Sequence, residues 1–459
     1  MASTFQGIST MSSALRAYQT QLDVTGENIS NAETVGYTRR SVTLNQNPSV
    51  SVTQGKSFSI GTGVNVSAVS RVRDLFLAGR RTEAESKLGK GNEALAGLSK
   101  IQDAMMEPGD EGVSAAYAGF MNSWSALSAS PGSASAKADV QAAGQDLASK
   151  VSTLGVNLQA QKLDNATSAK EILGKMDAAT KKIADLNVQI STAQARGGTP
   201  NDLLDARDSV VKELAGYADV SVVRGDNGYS VSLNGFRLVD PSGANPVASK
   251  YDAATGTIVD GSSSFAVRGG SLAGLHDTAV ALATTSAKLD QFADTVRTSV
   301  NGLMATGKLA DGSTAPPFFA EPVPPATSVG AIGLRLSDAV AANPKNVPSG
   351  TSGLSGDGTL ATQLSALRNS KVMGGETMGG FYSSLVSDVG RQVATAQDGV
   401  DVQEAVTKQI DTQIEGTSGV SMDDEMANML RFQRAYQAAA KTLSTFDSVT
   451  GTLIDMLQR

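Results

Sequence analysis

Toward the end of the chain, apolar residues recur at alternating intervals of three and four: Met429, Phe432, Tyr436, Ala439, Leu443, Phe446, Leu453 and Leu457, with Thr450 as the interruption. This is a heptad seam, which turns one narrow stripe of a long helix toward a partner helix. The spacing predicts a helix over residues 421–459, roughly 58 Å long at about 1.5 Å per residue. Ser421 is placed to cap it, with Asp424 as a shorter stand-in for the usual capping-box Glu. Asp423, Asp424 and Glu425 put negative charge where the helix dipole favours it. The other end of the chain carries the same spacing in Ile8, Met11, Leu15, Tyr18, Leu22, Thr25 and Ile29. Two matched seams predict a hairpin of terminal helices with the body of the chain inserted between them. An ordinary pair of packed helices in one globule gives the same pattern, and periodicity alone leaves both readings open.

Between the seams the period changes several times. Residues 31–37 form a turn-rich break, and 41–44 and 63–69 alternate as two short strands around a Gly/Ser-rich loop. Helical spacing returns over about 74–106 and stops at Glu107-Pro108-Gly109-Asp110. Val113, Tyr117, Phe120, Met121, Trp124 and Leu127 predict a short amphipathic helix whose aromatic residues belong to a core. The longest helical pattern, 133–196, contains no proline, although Gly155 and the polar patch 164–168 are placed to kink or fray it. Gly197-Gly198 ends it, and Asn201 is placed to cap a helix over 202–216. Residues 219–268 gather alternating apolar positions around Asp226-Asn227-Gly228, Asn234-Gly235, Asp240-Pro241-Ser242-Gly243 and Asp260-Gly261, the pattern of a β-rich insert with its own small core. Helix resumes over 272–303. Residues 306–359, with Pro316-Pro317-Phe318-Phe319 and Pro322-Val323-Pro324-Pro325, predict an extended loop or β-associated segment. Helices over about 360–372 and 376–415 lead into the last one.

Composition narrows the function classes. The 459 residues suffice for two or three domains with sizeable cores. A net charge of -7 and a pI near 5.0 argue against nucleic acid or an anionic membrane as partner, since either repels most of this surface. The absence of cysteine excludes disulfides, thiolate metal sites and a Cys nucleophile. No apolar run approaches the roughly 18 residues of a membrane span. Residues 1–7 lack the basic and apolar regions of a secretory signal peptide, so the residues by themselves suggest a cytosolic protein.

Candidate chemistry is thin. Gly55-Lys56-Ser57 has the tail of a phosphate-binding loop, but Val50 stands where its first glycine belongs and no helical pattern follows. Asp202, Asp205 and Asp208 put three carboxylates near one face of a helix. A metal could sit there, but helix-start electrostatics and pairing with Arg207 or Lys212 explain them more simply. His276 is the only histidine and has no cysteine for company. No serine lies in a Gly-x-Ser-x-Gly elbow. We therefore expect no catalytic residues, no metal, no cofactor and no enzyme activity.

The run Ser418-Gly419-Val420-Ser421-Met422-Asp423-Asp424-Glu425-Met426-Ala427-Asn428, followed by Arg431-Phe432-Gln433 and Ala435-Tyr436-Gln437-Ala438, resembles the C-terminal end of the bacterial flagellar hook-associated protein 1 family. Asn28-Ile29-Ser30-Asn31-Ala32, then Thr34 and Gly36-Tyr37-Thr38-Arg39, resembles the box shared by rod, hook and hook-associated axial proteins, with Val35 where that box usually has Pro. Residues 200–208 and 269–275 are similar to interior segments of the hook-associated family that hook and rod proteins lack.

The resemblance implies a structural axial protein of the flagellum that joins the hook to filament-side proteins. It implies self-assembly into a ring, with the flagellar hook protein, a filament-side junction protein and an export chaperone on the C-terminal segment as partners. It also implies an extracellular place on the flagellum, reached by type III export without a cleaved signal peptide. The expected fold is mainly α, a long helical bundle or rod with paired terminal coiled-coil helices and a small β-rich insert. Residues 1–45 and 417–459 are expected to form the terminal assembly domain, 46–215, 272–305 and 360–416 the helical rod, and 216–271 with 306–359 the β-rich and loop insert. The expected assembly interface is Ile8, Met11, Leu15, Tyr18, Leu22, Ile29, Met429, Phe432, Tyr436, Leu443, Phe446, Leu453 and Leu457, with Asn28, Asn31, Gly36 and Tyr37 as the axial box. The alternative, an exported helical adhesin or secretion-needle component, accounts for the heptads but not for the box at Asn28–Ala32.

Overall fold

The computed structural model describes residues 2–54, 56–225, 228–240, 243–322 and 330–457. Gly55 of the phosphate-loop-like tail, Asp226-Asn227 and Pro241-Ser242 of the hairpin turns, Val323-Pro324-Pro325 of the proline-rich stretch, and Gln458-Arg459 lie outside those residues. Helix α1 (Ala2–Ser30) leads into strands β1 (Arg40–Gln46), β2 (Val50–Gln54), β3 (Lys56–Ile60) and β4 (Val64–Arg71). Helices α2 (Leu75–Met105), α3 (Val113–Ala129), α4 (Ala134–Ala195) and α5 (Asn201–Tyr217) follow. Then come β5 (Val220–Gly225), β6 (Gly228–Leu233), β7 (Phe236–Asp240), β8 (Gly243–Ala244), β9 (Tyr251–Asp252), β10 (Thr257–Asp260) and β11 (Ser263–Ala266). The chain closes with α6 (Gly270–Met304), α7 (Asp338–Ala342), α8 (Thr359–Ala366), α9 (Met378–Ser418) and α10 (Met422–Leu457). The fold is mainly α, with long helices and four small sheets among the described residues. These elements belong to two compact units, one of residues 1–86, 175–249 and 403–459, the other of 87–174 and 250–402.

In the first unit, β1 and β4 pair antiparallel, as their alternation predicts. The stretch between them is not a plain loop, because β2 and β3 form a hairpin of their own. The Gly/Ser content suggested a loop, yet Val50, Val52, Phe58 and Ile60 alternate on the two strands and favour pairing. Gly63 brings this sheet onto α1, since a Cβ there would stand 2.4 Å from Ser13 Oγ and 3.3 Å from Thr10 Cα. An ionic cluster ties β4 to α5. Arg71 reaches Asp205 at 2.7 Å and Asp208 at 2.8 Å, and Arg73 also pairs with Asp208. Thr38 donates to Asp205 at 2.9 Å and the Tyr229 hydroxyl to Asp208 at 3.1 Å. The partners of these carboxylates thus come from another element and not, as the helical spacing suggested, from Arg207 or Lys212.

Arg207 turns instead to the four-stranded sheet β5-β6-β7-β8. Its guanidinium lies 3.5 Å from the centre of the Tyr229 ring and donates to Asn187 Oδ1 at 2.9 Å. Asn187 in turn holds both backbone groups of Tyr229, donating to its carbonyl at 2.9 Å and accepting its N–H at 3.1 Å. The sheet is therefore not a self-contained insert. Asn201 likewise does not cap α5, whose N-cap is Pro200; it is buried and donates to the Val69 carbonyl at 2.9 Å.

The second unit packs around aromatic rings. Phe120, Trp124, Phe318 and Phe319 meet edge-on or tilted, with centroids 5.0 to 6.1 Å apart. The Gly/Pro-rich stretch thus supplies fully buried side chains to the core, among them Phe318, Phe319, Val340 and Val347. Such pairs contribute roughly 0.5–1.5 kcal/mol each beyond burial. Helix α4 runs 62 residues unbroken through both expected weak points. Gly155 serves contact instead of bending, because a Cβ there would lie 2.9 Å from Ile332. Asn165 stays helical and spends its amide on the Leu275 carbonyl at 3.0 Å. Gly144 similarly makes room for Phe318, whose ring stands 2.5 Å from the position of a Cβ. The remaining sheet, β9-β10-β11, also belongs to this unit. His276 lies against Gly256, the residue between β9 and β10 whose φ of 64° favours glycine.

Two glycines of α6 should respond oppositely to alanine. A Cβ on Gly274 would stand 2.6 Å from the Lys90 carbonyl oxygen and 3.0 Å from the Ala94 nitrogen, both backbone atoms of α2. Gly274→Ala is expected to destabilise by about 1–3 kcal/mol. Gly302 is exposed with open space around it, so Gly302→Ala should stabilise by about 0.5–1 kcal/mol through helix propensity alone. Urea melts of the two variants check both signs. A second prediction concerns pH. Burial pushes the Asp208 carboxyl up, but Arg73 and Arg71 outweigh it and hold the group below its ordinary value. A depressed folded pKa contributes stability that is fully present above the unfolded value near 3.9 and is lost as pH falls through the folded one. Asp208→Asn should therefore flatten the loss of first-unit stability below about pH 4, measured by acid titration of melting.

Candidate assembly interface

The terminal helices pair antiparallel within the first unit. A Cβ on Gly7 would touch the Phe446 ring at 3.0 Å, and at the far end Asn28 bonds to Glu425 at 3.2 Å. Twenty-one residues separate Gly7 from Asn28, and twenty-one separate Glu425 from Phe446, which is three heptads on each helix. The small and polar positions 7, 14, 21 and 28 of α1 are thereby set against Phe446, Ala439, Phe432 and Glu425 of α10. On α1, Ile8, Met11, Leu15, Tyr18, Leu22 and Ile29 are half-buried. Ala17, Val24, Thr25 and Asn28 are buried more completely, because β1 and β4 pack on α1 in addition to α10.

Helix α10 is covered on one side only. Met429, Phe432, Leu443 and Phe446 are half-buried, and Thr450, the apparent interruption, occupies its seam place half-buried too. Tyr436 is 37% exposed and Leu453 42%, while the Leu457 side chain lies outside the described residues. Among the described side chains of α10 only Glu425 and Ala439 are buried. Met422, Met426, Leu430, Val449, Ile454 and Met456 are all exposed apolar residues. The start of the helix is capped as expected in outline, with Ser421 Oγ accepting from the Asp424 N–H at a long 3.4 Å.

A polar knot closes the pair where α1 ends. The Asn28 amide, 1% exposed, uses its whole hydrogen-bonding capacity. Its Nδ2 donates to the Arg40 carbonyl at 3.0 Å and to Glu425 Oε2 at 3.2 Å. Its Oδ1 accepts from the Tyr37 hydroxyl at 2.8 Å and the Arg40 N–H at 2.9 Å. Burial pushes the Tyr37 phenol up to about 12, so it remains a donor at neutral pH. Glu425, 2% exposed, receives Arg39 Nε at 2.8 Å on its other oxygen. Arg40 lies 5.2 Å from the Tyr37 ring centre and pairs with Glu27. Asn31 ends α1 by donating to the Glu27 carbonyl at 3.0 Å and accepting from Thr34 at 3.2 Å. Gly36, at φ 86°, makes the turn that returns Tyr37 beneath Asn28, and Val35 at its tip is fully exposed.

Asn28, Asn31, Gly36 and Tyr37 thus lie together. Glu425 and Arg39 complete the arrangement and were absent from the expected interface. Glu425 falls one heptad before Phe432, in a place the seam assigns to an apolar residue; an acid there was the available signal. A cavity of about 220 Å³ lies beside the knot, lined by polar groups that include Arg39, Arg40 and Arg431. Among the described residues no group of His, Cys, Asp or Glu has the arrangement of a metal site, and no helix is long and apolar enough to cross a membrane.

Comparison with known proteins places three segments in families. Residues 98–319 match the helical domain of flagellar hook-associated protein FlgK. Residues 8–38, covering most of α1 and the turn after it, match the flagella basal body rod protein, and 416–456, containing α10, match the C-terminal part of flagellar basal body rod FlgEFG proteins. The chain is 26% identical to flagellar hook-associated protein 1 of Bacillus subtilis, with 99% of each covered. It is also 26% identical to the protein of that name from Salmonella typhimurium, over 97% of this chain and 98% of the relative. Its fold is similar to that of the flagellar hook junction protein FlgK from Burkholderia pseudomallei, with a TM-score of 0.63 at 16% identity, covering 73% of this chain and 99% of that one. Likeness to flagellar hook-associated protein 1 thus runs from the first helix through the helical body to the last.

Proposed function

We infer that this chain is a structural protein of the bacterial flagellum that forms the junction between the hook and filament-side proteins through its paired terminal helices. Likeness over nearly the whole length to hook-associated protein 1 carries the reading. The geometry of α10 supports it physically, because a helix covered on one side and apolar on others is built to be covered by neighbours.

The finer assignments follow from the same reading. Residues 1–45 with 417–459 act as the assembly domain, and the residues between them form the body that carries it. Copies of the chain close into a ring, with the hook protein on one side and a filament-side junction protein on the other. An export chaperone covers the C-terminal segment before assembly, which the exposed Met426, Leu430 and Leu453 support, since bare apolar groups invite aggregation. The chain reaches the cell exterior through the flagellar export channel without a cleaved signal peptide. It carries out no catalysis; the polar cavity beside the knot is lined by arginines already paired with Glu425 and Glu27, together with the stacked Arg431.

Addition of purified protein to isolated hook ends tests this reading. Wild-type chain is expected to bind hook ends, and absence of binding would overturn the assignment. Leu453→Asp should abolish binding while leaving the melting curve within about 0.5 kcal/mol of wild type, because its side chain is already exposed in the single chain. Leu443→Ala, in the half-buried seam, should weaken binding and stability together, and Gln437→Ala, exposed and off the seam, should change neither.

A further inference from the structure

A heptad seam repeats, and repetition permits slippage. Positions 425, 432, 439 and 446 of α10 succeed one another at intervals of seven, as do 7, 14, 21 and 28 of α1. Sliding α10 by one heptad moves it about 10 Å along its axis and still sets one apolar seam against the other. Side chains as mixed as Met, Leu, Tyr, Thr and Ala discriminate weakly between such pairings.

The knot does discriminate. Asn28 is aimed before α10 arrives, because Oδ1 is held by Tyr37 and the Arg40 N–H while one Nδ2 hydrogen goes to the Arg40 carbonyl. That leaves one donor for α10. Arg39 is held from its own side of the pair, its carbonyl accepting from the Val72 N–H at 2.8 Å just past β4, while its N–H meets the Ser418 carbonyl at 3.1 Å just ahead of α10. Neither residue can follow a sliding helix. A slip in one direction sets Phe432 opposite Asn28, and its ring offers the amide no comparable acceptor. A slip in the other carries position 418 there, outside α10, and removes Glu425 from Arg39. Either leaves a buried polar group without its partner.

We propose that Asn28, Glu425 and Arg39 form a register lock, a buried polar contact that selects one among the heptad-related pairings of α1 with α10. They act as positioning residues. The lock concerns pairing within one chain and does not depend on where the assembled protein sits, so its test is separate from hook binding.

The chain contains no cysteine, so introduced thiols are its only ones. Three double variants of the full-length protein report the register: Gly7→Cys with Phe446→Cys for the observed pairing, and with Ala439→Cys or Leu453→Cys for slips of one heptad either way. A bifunctional thiol reagent shorter than the roughly 10 Å of one heptad separates them. With the lock intact, only the first pair should bridge efficiently. Adding Glu425→Ala should raise bridging of the slipped pairs at least about tenfold, as expected for loss of a buried charge-assisted bond. Arg39→Gln should act in the same direction, and Glu425→Gln, which keeps an acceptor for Asn28, should raise slipping less. Leu15→Ala, which weakens the seam without touching the knot, should lower melting but produce no slipped product. Slipped bridging no greater in Glu425→Ala than in Leu15→Ala would overturn the proposal. Loss of all bridging in both Glu425→Ala and Arg39→Gln would overturn it as well, since the knot would then be needed for pairing itself and not for its register.

Discussion

A carboxylate buried to 2% exposure needs compensation in place, and Glu425 obtains it from Asn28 and Arg39, twenty-eight or more positions into the far end of the chain. Leaving such a group unpaired costs on the order of several kcal/mol, whereas pairing it well brings little net gain. The contact is therefore better understood as a constraint than as a source of stability. It requires α1 to end at Asn31, the turn at Gly36 to bring Tyr37 back, and β1 to start with its backbone at Asn28. Those demands fall on residues 28–40, where Asn28, Asn31, Gly36, Tyr37, Arg39 and Arg40 each meet one of them.

Elsewhere the chain relies on closeness. With aromatics at only 5% and 47 glycines, it lacks bulk to fill wide gaps, so its helices approach until backbone meets backbone. Gly274 on the Lys90 carbonyl is such a contact in the second unit, and Gly97 and Gly91 there admit the side chains of Thr278 and Val400 as closely. Each forgoes helix propensity of about 0.5–1 kcal/mol for dispersion contact along the facing surfaces. The large buried rings of the second unit gather in two groups, one around Phe120, Trp124, Phe318 and Phe319 and the other around Tyr117, Phe292 and Tyr382.

The helices and their ends were legible because heptad spacing, glycine pairs and Glu107–Asp110 are local signals. The terminal seams were legible for the same reason. What escaped were partners distant in sequence. Asp205 and Asp208 lie three residues apart on one helix, which pointed to neighbours on that helix, but their cations are Arg71 and Arg73, more than 130 positions away. Arg207 was likewise free to leave its helix for Tyr229. Phe318 and Phe319 sit among prolines and glycines, whose loop propensity masks two core residues. Glu425 was assigned to the helix dipole, a sufficient explanation until tertiary structure buried it. In each case a local account was available and a long-range contact prevailed.

One asymmetry between the terminal helices follows from what covers them. Helix α1 lies between α10 and the β1–β4 sheet, so its conformation is determined by its own chain on two sides. Helix α10 has α1 and, at Glu425, the residues just before β1, and the register that sets Gly7 against Phe446 leaves positions 453–457 reaching past the start of α1. Val449, Leu453, Ile454 and Met456 gather at that end, while Met422, Met426 and Leu430 form an exposed i, i+4 stripe at the other. Burying an exposed side chain of this size is worth about 1.5–3 kcal/mol. The two ends of α10 thus hold apolar surface whose burial its own chain leaves unrealised. Of the two terminal helices, α10 is the one whose described side chains its own chain covers less, and so the one with more burial to gain from any partner.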